Sequence, residues 1–133
     1  MAGRRVVVTG IGTINPLGHS IEEYFANLEK GVSAATEITL FDASKFRSRI
    51  ACEVKDYDWS RYFDRKEVRK YDRFAQWAMI SADEALRDAG VVDNNTIDKE
   101  RVGVVWGSGT GGTTTFYEES KGYIEGNYTP RFS

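Results

Sequence analysis

Two short apolar runs, each followed at once by glycine, constrain this chain of 133 residues more than any other feature. The first is Arg5 to Thr9, which precedes Gly10-Ile11-Gly12, and the second is Val102 to Trp106, which precedes the glycine loop 107–112. Runs this apolar and β-branched are typical of strands that are buried on both faces of a parallel sheet. Because helical patterns follow both runs, the sequence predicts a layered α/β domain with a mainly parallel sheet.

Three segments have helical patterns. The first predicted helix covers residues 21–30. It begins at a capping-box sequence, Ser20 to Glu23, and Gly31 suits the left-handed position after a helix. The strongest pattern runs from about Lys66 to Ala89 and predicts one helix, and a shorter pattern at 113–124 predicts another. The apolar face of the strongest helix is rich in alanine, which permits close approach of another backbone.

The opposite face of this long helix is basic. Six basic and three acidic residues between Arg61 and Arg73 give a local charge of +3, whereas the whole chain carries −2. The overall charge gives no indication of a nucleic-acid partner, so the basic face is the candidate electrostatic docking surface. Exposed cations are usually only solvated, and the residues alone leave both interpretations open.

The single cysteine, Cys52, excludes an internal disulfide and fits a reducing compartment. No apolar run reaches the roughly 18 residues that span a bilayer, and no signal-peptide core follows the basic start, so we expect a cytoplasmic protein. Cys52 lies in a strand-like segment, which favours an ordinary thiol over a nucleophile. The only histidine, His19, precedes a helix cap and is interpreted as a turn residue, and one histidine excludes a histidine-rich metal site.

Both glycine segments invite a nucleotide-binding interpretation. The segment from Gly10 to Asn15 resembles a dinucleotide-binding turn but ends in asparagine, and Pro16 interrupts the helix entry. The loop 107–112 resembles a P-loop, but Thr113 occupies the position of the phosphate-binding lysine. Structural turns are therefore favoured at both places.

Taken in order, the motifs of the whole chain resemble the beta-ketoacyl-acyl carrier protein synthase II family. No single motif decides this, but their combined order is specific. The segments that carry the resemblance are RRVVVTGIG at 4–12, NPLG at 15–18, FD at 41–42, VKDY at 54–57, RKEVRKYD at 65–72, residues 82–90 and GSGTGG at 107–112.

The resemblance implies an α/β, thiolase-like fold, in which two similar halves pack as five layers (α/β/α/β/α). Residues 1–133 would form most of the first half, an incomplete N-terminal domain with an irregular insertion at about 32–63. The family performs decarboxylative Claisen condensation with a cysteine nucleophile and two histidines. These catalytic residues are expected beyond Ser133, so the chain alone is predicted to be inactive, and neither a cofactor nor a metal is expected.

The resemblance also assigns site residues and partners. Arg65, Lys66, Arg69 and Lys70 match the basic helix that docks the acyl carrier protein, and Arg131 is similar to a second docking cation. Thr110 matches a position that borders the acyl pocket, where relatives often have isoleucine. The expected partner is acyl carrier protein in its acyl- and malonyl-loaded forms. Complete members are expected to be homodimers, and neither nucleic acid nor membrane is expected as a partner.

Two alternatives remain. The first is a carrier-protein-binding part of a catalytically dead homologue, such as a chain-length factor. The second is an NAD(P)-binding Rossmann domain, which would use the glycines at 10 and 12.

Overall fold

The computed structural model describes residues 3–131, and within them the chain forms four α-helices and a two-stranded sheet. Short 3-10 turns occur at Trp59–Arg61 and Lys99–Arg101. The helices and strands, in chain order, are α1 (Ile21–Glu29), β1 (Ala35–Glu37), β2 (Ile50–Cys52), α2 (Arg65–Lys70), α3 (Arg73–Asp88) and α4 (Thr113–Glu125).

The chain divides into two compact units. One comprises Met1–Asp58 and Met79–Val102, and therefore contains α1, the two strands and the larger part of α3. The other comprises Trp59–Ala78 and Gly103–Ser133, and contains α2, the first turns of α3 and all of α4.

Helix α1 and its Ser20 cap confirm the prediction, but the full capping box does not form, because Glu23 bonds to the His19 amide and not to that of Ser20. The Ser20 hydroxyl accepts a hydrogen bond from the Glu23 amide, and the Glu23 carboxylate accepts one from the His19 amide at 2.7 Å. At the other end Gly31 has a φ of 66°, and its amide bonds to the Leu28 carbonyl. Both ends are therefore fixed by local sequence.

The predicted single helix from Lys66 to Ala89 is wrong, because the structure has two helices there. Helix α2 ends at Lys70, and Tyr71 has extended backbone angles of −102° and 129°. Helix α3 then begins at Arg73. The buried amide of Gln76 stabilises the break by donating to the carbonyls of Val68 (3.1 Å) and Tyr71 (2.6 Å).

The break also changes which face of α3 is buried. Gln76 and Ile80 are 3% and 2% exposed, although a continuous helix would place them on the basic side. Met79 and Leu86, which were predicted to be on the buried face, are close to half exposed. The error arises because the extended residue Tyr71 resets the helical phase.

The alanine-rich face of α3 does admit another backbone, as predicted. A Cβ added to Gly10 would lie 2.2 Å from the Ala85 carbonyl oxygen, and one added to Gly12 would lie 2.0 Å from that of Ser81. No side chain fits in that space, so the glycines are required by contact with α3.

Two carboxylates of α3 hold the same glycine segment by its amides. Glu84 accepts from the amides of Thr13 (2.7 Å) and Ile21 (2.8 Å), and Asp88 accepts from the Ile11 amide (2.9 Å). The carboxylate of Glu84 thus connects the glycine segment with the first residue of α1. Hydrogen bonds to a charged acceptor are the stronger kind, which makes this a well-fixed junction.

The predicted strands at 5–9 and 102–106 do not form, and the mainly parallel sheet is absent from residues 3–131. The sheet that these residues contain is the antiparallel pair β1–β2, with Ala35 opposite Cys52. Val6 and Val105 are 90% and 99% exposed. A strand needs a hydrogen-bonded neighbour, and the described residues supply none to either run.

The irregular segment at 32–63 is organised around this antiparallel pair. The predicted strand-like segment that contains Cys52 is confirmed in part, since β2 covers Ile50–Cys52. Glu53 joins the loop before it by accepting hydrogen bonds from the Thr39 hydroxyl (2.8 Å) and amide. The Thr39 hydroxyl hydrogen bond lowers the pKa of Glu53.

Among the described residues, no helix has the length and apolar character needed to cross a bilayer.

The filled space beside Gly10 and Gly12 leads to a prediction about nucleotides. We expect no saturable binding of NADH, because α3 occupies the space that a pyrophosphate would need and two carboxylates already hold the amides. A titration followed by NADH fluorescence measures this. Saturable binding that is lost in Gly12→Ala and kept in Gly103→Ala, where a Cβ has no neighbour within 4 Å, would contradict it.

The two exposed valine runs lead to a prediction about association. We expect the 133-residue chain to self-associate and to bind an apolar dye, because large contiguous apolar patches associate in water. Sedimentation velocity over a concentration series measures it. Val105→Lys is expected to raise the monomer fraction more than Val92→Lys, which lies outside the runs. A monomer with a sharp cooperative melt at all concentrations would refute the prediction.

Candidate functional site

The four cations assigned to docking all lie on α2 and are all exposed. Together, Arg65, Lys66, Arg69 and Lys70 are called the basic cluster below. Within the described part of the chain none of them makes an ion pair, and the Lys70 ammonium lies 5.3 Å from the centre of the Tyr71 ring. The four cations therefore face solvent without an ion-pair partner at close range.

Helix α2 is only six residues long, and caps at both ends stabilise it. At the start, the Asp64 carboxylate accepts from the amides of Lys66 (2.7 Å) and Glu67 (2.8 Å), and Glu67 accepts from the Asp64 amide (3.0 Å). At the end, Gln76 bonds to the last carbonyls. The caps offset charge repulsion, because each pair of like charges four residues apart destabilises a helix by about 0.2–0.5 kcal/mol.

The glycine loop 107–112 is exposed along almost its whole length, including Thr110. Gly112 has a φ of 72° and immediately precedes α4. Next to it, Gly111 lies so close to the ring of Phe74 that an added Cβ would be 2.9 Å from two ring carbons. The loop is thus anchored at its C-terminal end, where the positive φ of Gly112 favours glycine and Gly111 packs against the Phe74 ring.

A hydrogen bond joins the start of α4 to the break between α2 and α3. The Thr115 hydroxyl donates to Asp72 Oδ2 at 2.5 Å. Asp72 is two residues from Lys70, so this bond links the end of the basic cluster to the residues that follow the glycine loop. The sequence interpretation missed it, because the two partners are 43 positions apart.

All the residues predicted for the site belong to one compact unit, Trp59–Ala78 with Gly103–Ser133. The residues directly after α2 contact the start of α4 through Asp72–Thr115 and the end of the glycine loop through Phe74–Gly111. Arg131, at the end of the described residues, is exposed and lies outside any helix or strand.

Helix α4 carries an apolar groove that the sequence interpretation also missed. Its volume is about 430 Å³, and Phe116 and Ile124 on its wall are 76% and 60% exposed. The other lining residues are Glu119, Ser120, Tyr123 and Tyr128. Aromatic residues at 116, 123 and 128, within a helix and its end, were the available sequence signal.

The remaining candidates do not join the site. Cys52 is exposed in β2, opposite Ala35. The His19 ring contacts Tyr57 edge to face at 5.1 Å, in the turn before α1. Residues 3–131 contain no group of histidine, cysteine or acidic side chains that could hold a metal ion. Besides Glu53, Asp42 has a lowered pKa, from the Ser44 amide hydrogen bond, and both lie in the segment 32–63.

Comparison with known proteins agrees with the resemblance. A 3-oxoacyl-[acyl-carrier-protein] synthase 2 from Coxiella burnetii is 44% identical over 96% of this chain and 29% of its own length. The protein of the same name from Synechocystis is 40% identical over 82% of this chain and 26% of its own length. This chain therefore spans less than a third of these relatives.

Two solved structures have the same fold. The ishigamide ketosynthase/chain length factor matches 95% of this chain and 31% of its own, with a TM-score of 0.73 and 30% identity. A beta-ketoacyl synthase from Burkholderia phymatum matches 98% of this chain and 32% of its own, with a TM-score of 0.75 and 28% identity. The predicted α/β, thiolase-like fold class is confirmed.

The family model for the N-terminal domain of beta-ketoacyl synthase matches residues 3–131. This chain therefore belongs to the beta-ketoacyl synthase family.

Proposed function

We propose that this chain is part of a condensing acyltransferase of fatty-acid synthesis. The enzyme would elongate acyl chains by decarboxylative Claisen condensation of an acyl-enzyme with malonyl-loaded acyl carrier protein. The observation that carries the proposal is the unpaired, exposed basic cluster of α2, in a chain whose relatives are named 3-oxoacyl-[acyl-carrier-protein] synthase 2. The part of the reaction assigned to this chain is recruitment of the carrier protein.

The basic cluster suits an acidic partner for a physical reason. Four positive groups on one short, capped helix add their fields, which raises the rate of encounter with a negatively charged surface. Each exposed ion pair contributes only about 0–1 kcal/mol, so binding is weak and reversible. A carrier that delivers a substrate and then leaves needs this kind of contact.

Arg131 and Thr110 have subsidiary roles in the proposal. The exposed guanidinium of Arg131 adds a second cation from the same compact unit. Thr110, in the glycine loop, would border the acyl pocket, where a side chain smaller than isoleucine and partly polar alters the fit of the acyl chain. The proposal includes a homodimer and a cytoplasmic location for the complete protein, as the resemblance implies.

A second candidate function is a chain-length factor, a homologue that binds carrier protein without catalysis. The likeness to a ketosynthase/chain length factor structure favours it, at 30% identity. The residue at the start of the helix that bears the nucleophile in condensing enzymes distinguishes the two. A cysteine there supports the enzyme, and another residue supports the chain-length factor.

Charge reversal tests the docking role. The double variant Lys66→Glu, Arg69→Glu is expected to weaken association with acyl carrier protein by about tenfold or more at low salt, because attraction becomes repulsion. Titration calorimetry or fluorescence anisotropy at several salt concentrations measures the dissociation constant and its salt dependence.

The matched control is Lys45→Glu, Arg47→Glu, which changes the net charge equally at exposed cations outside α2. It is expected to have a much smaller effect. If the two double variants weaken binding equally, net charge alone explains the effect and the docking assignment fails.

Condensation provides a second test. The purified chain is expected to produce no 3-oxoacyl product from acyl- and malonyl-loaded carrier protein, because its single thiol, Cys52, is exposed in a strand rather than at a helix N-terminus. Mass spectrometry of the carrier protein measures the product. Turnover that disappears in Cys52→Ser would place the nucleophile in this chain and refute the prediction.

A further inference from the structure

The glycine loop makes close contacts at one end only. A Cβ added to Gly107 or Gly109 would meet no atom within 4 Å, whereas one added to Gly111 would meet the Phe74 ring at 2.9 Å. Residues 107–110 are exposed. The position of this loop therefore depends on what holds Gly111 and the start of α4.

Two contacts hold that end, and both partners lie in the segment directly after α2. The Phe74 ring packs against Gly111, and Asp72 Oδ2 accepts the Thr115 hydroxyl hydrogen at 2.5 Å. A hydrogen bond to a carboxylate is about twice as strong as one between neutral groups.

Hydrogen bonds through Gln76 connect Asp72 to α2. Its carbonyl accepts from the amides of Ala75 and Gln76, at 3.0 and 3.1 Å, and so belongs to the first turn of α3. The buried side-chain amide of Gln76 in turn donates to the carbonyls of Val68 and Tyr71. The basic helix, the break and the loop anchor thus form one continuous set of contacts.

We propose that Asp72 and Phe74 are positioning residues that hold the glycine loop in a fixed place relative to the basic helix α2. The consequence rests on the proposed function: the surface that docks the carrier protein and the loop that borders the acyl pocket keep a constant separation. An acyl chain delivered by a docked carrier would then meet the loop in one position.

A distance measurement tests this directly. Spin labels are attached at Thr110→Cys and Lys70→Cys in a Cys52→Ser background, diluted with unlabelled chain so that association adds no signal. We expect one narrow distance distribution. Thr115→Val, which removes the donor and keeps the shape, is expected to broaden it by at least about 1 Å.

Matched variants separate positioning from general destabilisation. Thr115→Ser restores the hydroxyl and is expected to restore the narrow distribution, and Thr114→Val changes a neighbouring exposed threonine with no effect. Gly111→Ala is expected to shift the loop through contact with the Phe74 ring, and adding Phe74→Leu should reverse the shift. Gly109→Ala, in open space, is its control.

The outcomes distinguish this inference from the proposed function. Equal distributions in the parent chain and Thr115→Val overturn the positioning role, whatever the affinity for acyl carrier protein. Broadening without rescue by Thr115→Ser also overturns it. Failure of the unlabelled chain, with Lys70 and Thr110 intact, to bind acyl carrier protein overturns the docking proposal alone, since the label distances are measured without the carrier.

Discussion

The buried side-chain amide of Gln76 is the interaction on which the arrangement of the candidate site depends. The break at Tyr71 removes helical donors from the carbonyls at the end of α2, and Gln76 replaces them at Val68 and Tyr71. A buried polar group left without a partner costs about 1–3 kcal/mol, and these two bonds satisfy the buried Gln76 amide while they stabilise the break. The break in turn lets α2 expose its cations while α3 buries Ile80 on the side that a continuous helix would have exposed.

Helix α2 is too short and too highly charged to be stable in isolation. Isolated helices of under about 12 residues are marginal in water, and this one has six residues, four of them cations. Arg65 and Lys66 also lie at the positive end of the helix dipole, where acidic residues are preferred. Its stability comes from outside the charged face: from the capping box of Asp64 and Glu67, from Gln76, and from the preceding Phe63, which is 7% exposed and packs edge to face on Tyr71 at 6.2 Å. Arg69 and Lys70 lie in the last turn, where cations complement the dipole, so only the first half of the charged face opposes the helix.

Structural features could be predicted from the sequence where the interacting residues lie close together along the chain. The ends of α1 could be predicted because Ser20 and Gly31 act on atoms a few residues away, and the close approach to α3 could be predicted from the spacing of its alanines. The break could not, because Gln76 bonds to carbonyls five and eight positions earlier within a pattern that remains periodic in both helices. The basic face was predicted from the charge pattern, and its assignment to docking, like the role of Thr110, came from the resemblance. The Asp72–Thr115 bond joins residues 43 positions apart and has no local signal. Strands at 5–9 and 102–106 have the right composition, but pairing requires neighbours that residues 3–131 do not provide.

The unpaired valine runs show that the path of the chain and the burial of its apolar side chains have different causes in this fold. The chain follows the path of ketosynthase structures over 95–98% of its length, yet the runs form no hydrogen-bonded ladder among the described residues. The path at the end of the first run is instead determined by α3, through the close contacts of Gly10 and Gly12 and the carboxylates of Glu84 and Asp88. Those contacts need no sheet. Contact with α3 therefore fixes the position of the glycine segment. The valines before it remain exposed. Their apolar side chains follow one another without alternation, a pattern that suits a strand covered on both faces. The position of the glycine segment therefore depends on contacts among the described residues, and these contacts leave the valines before it exposed.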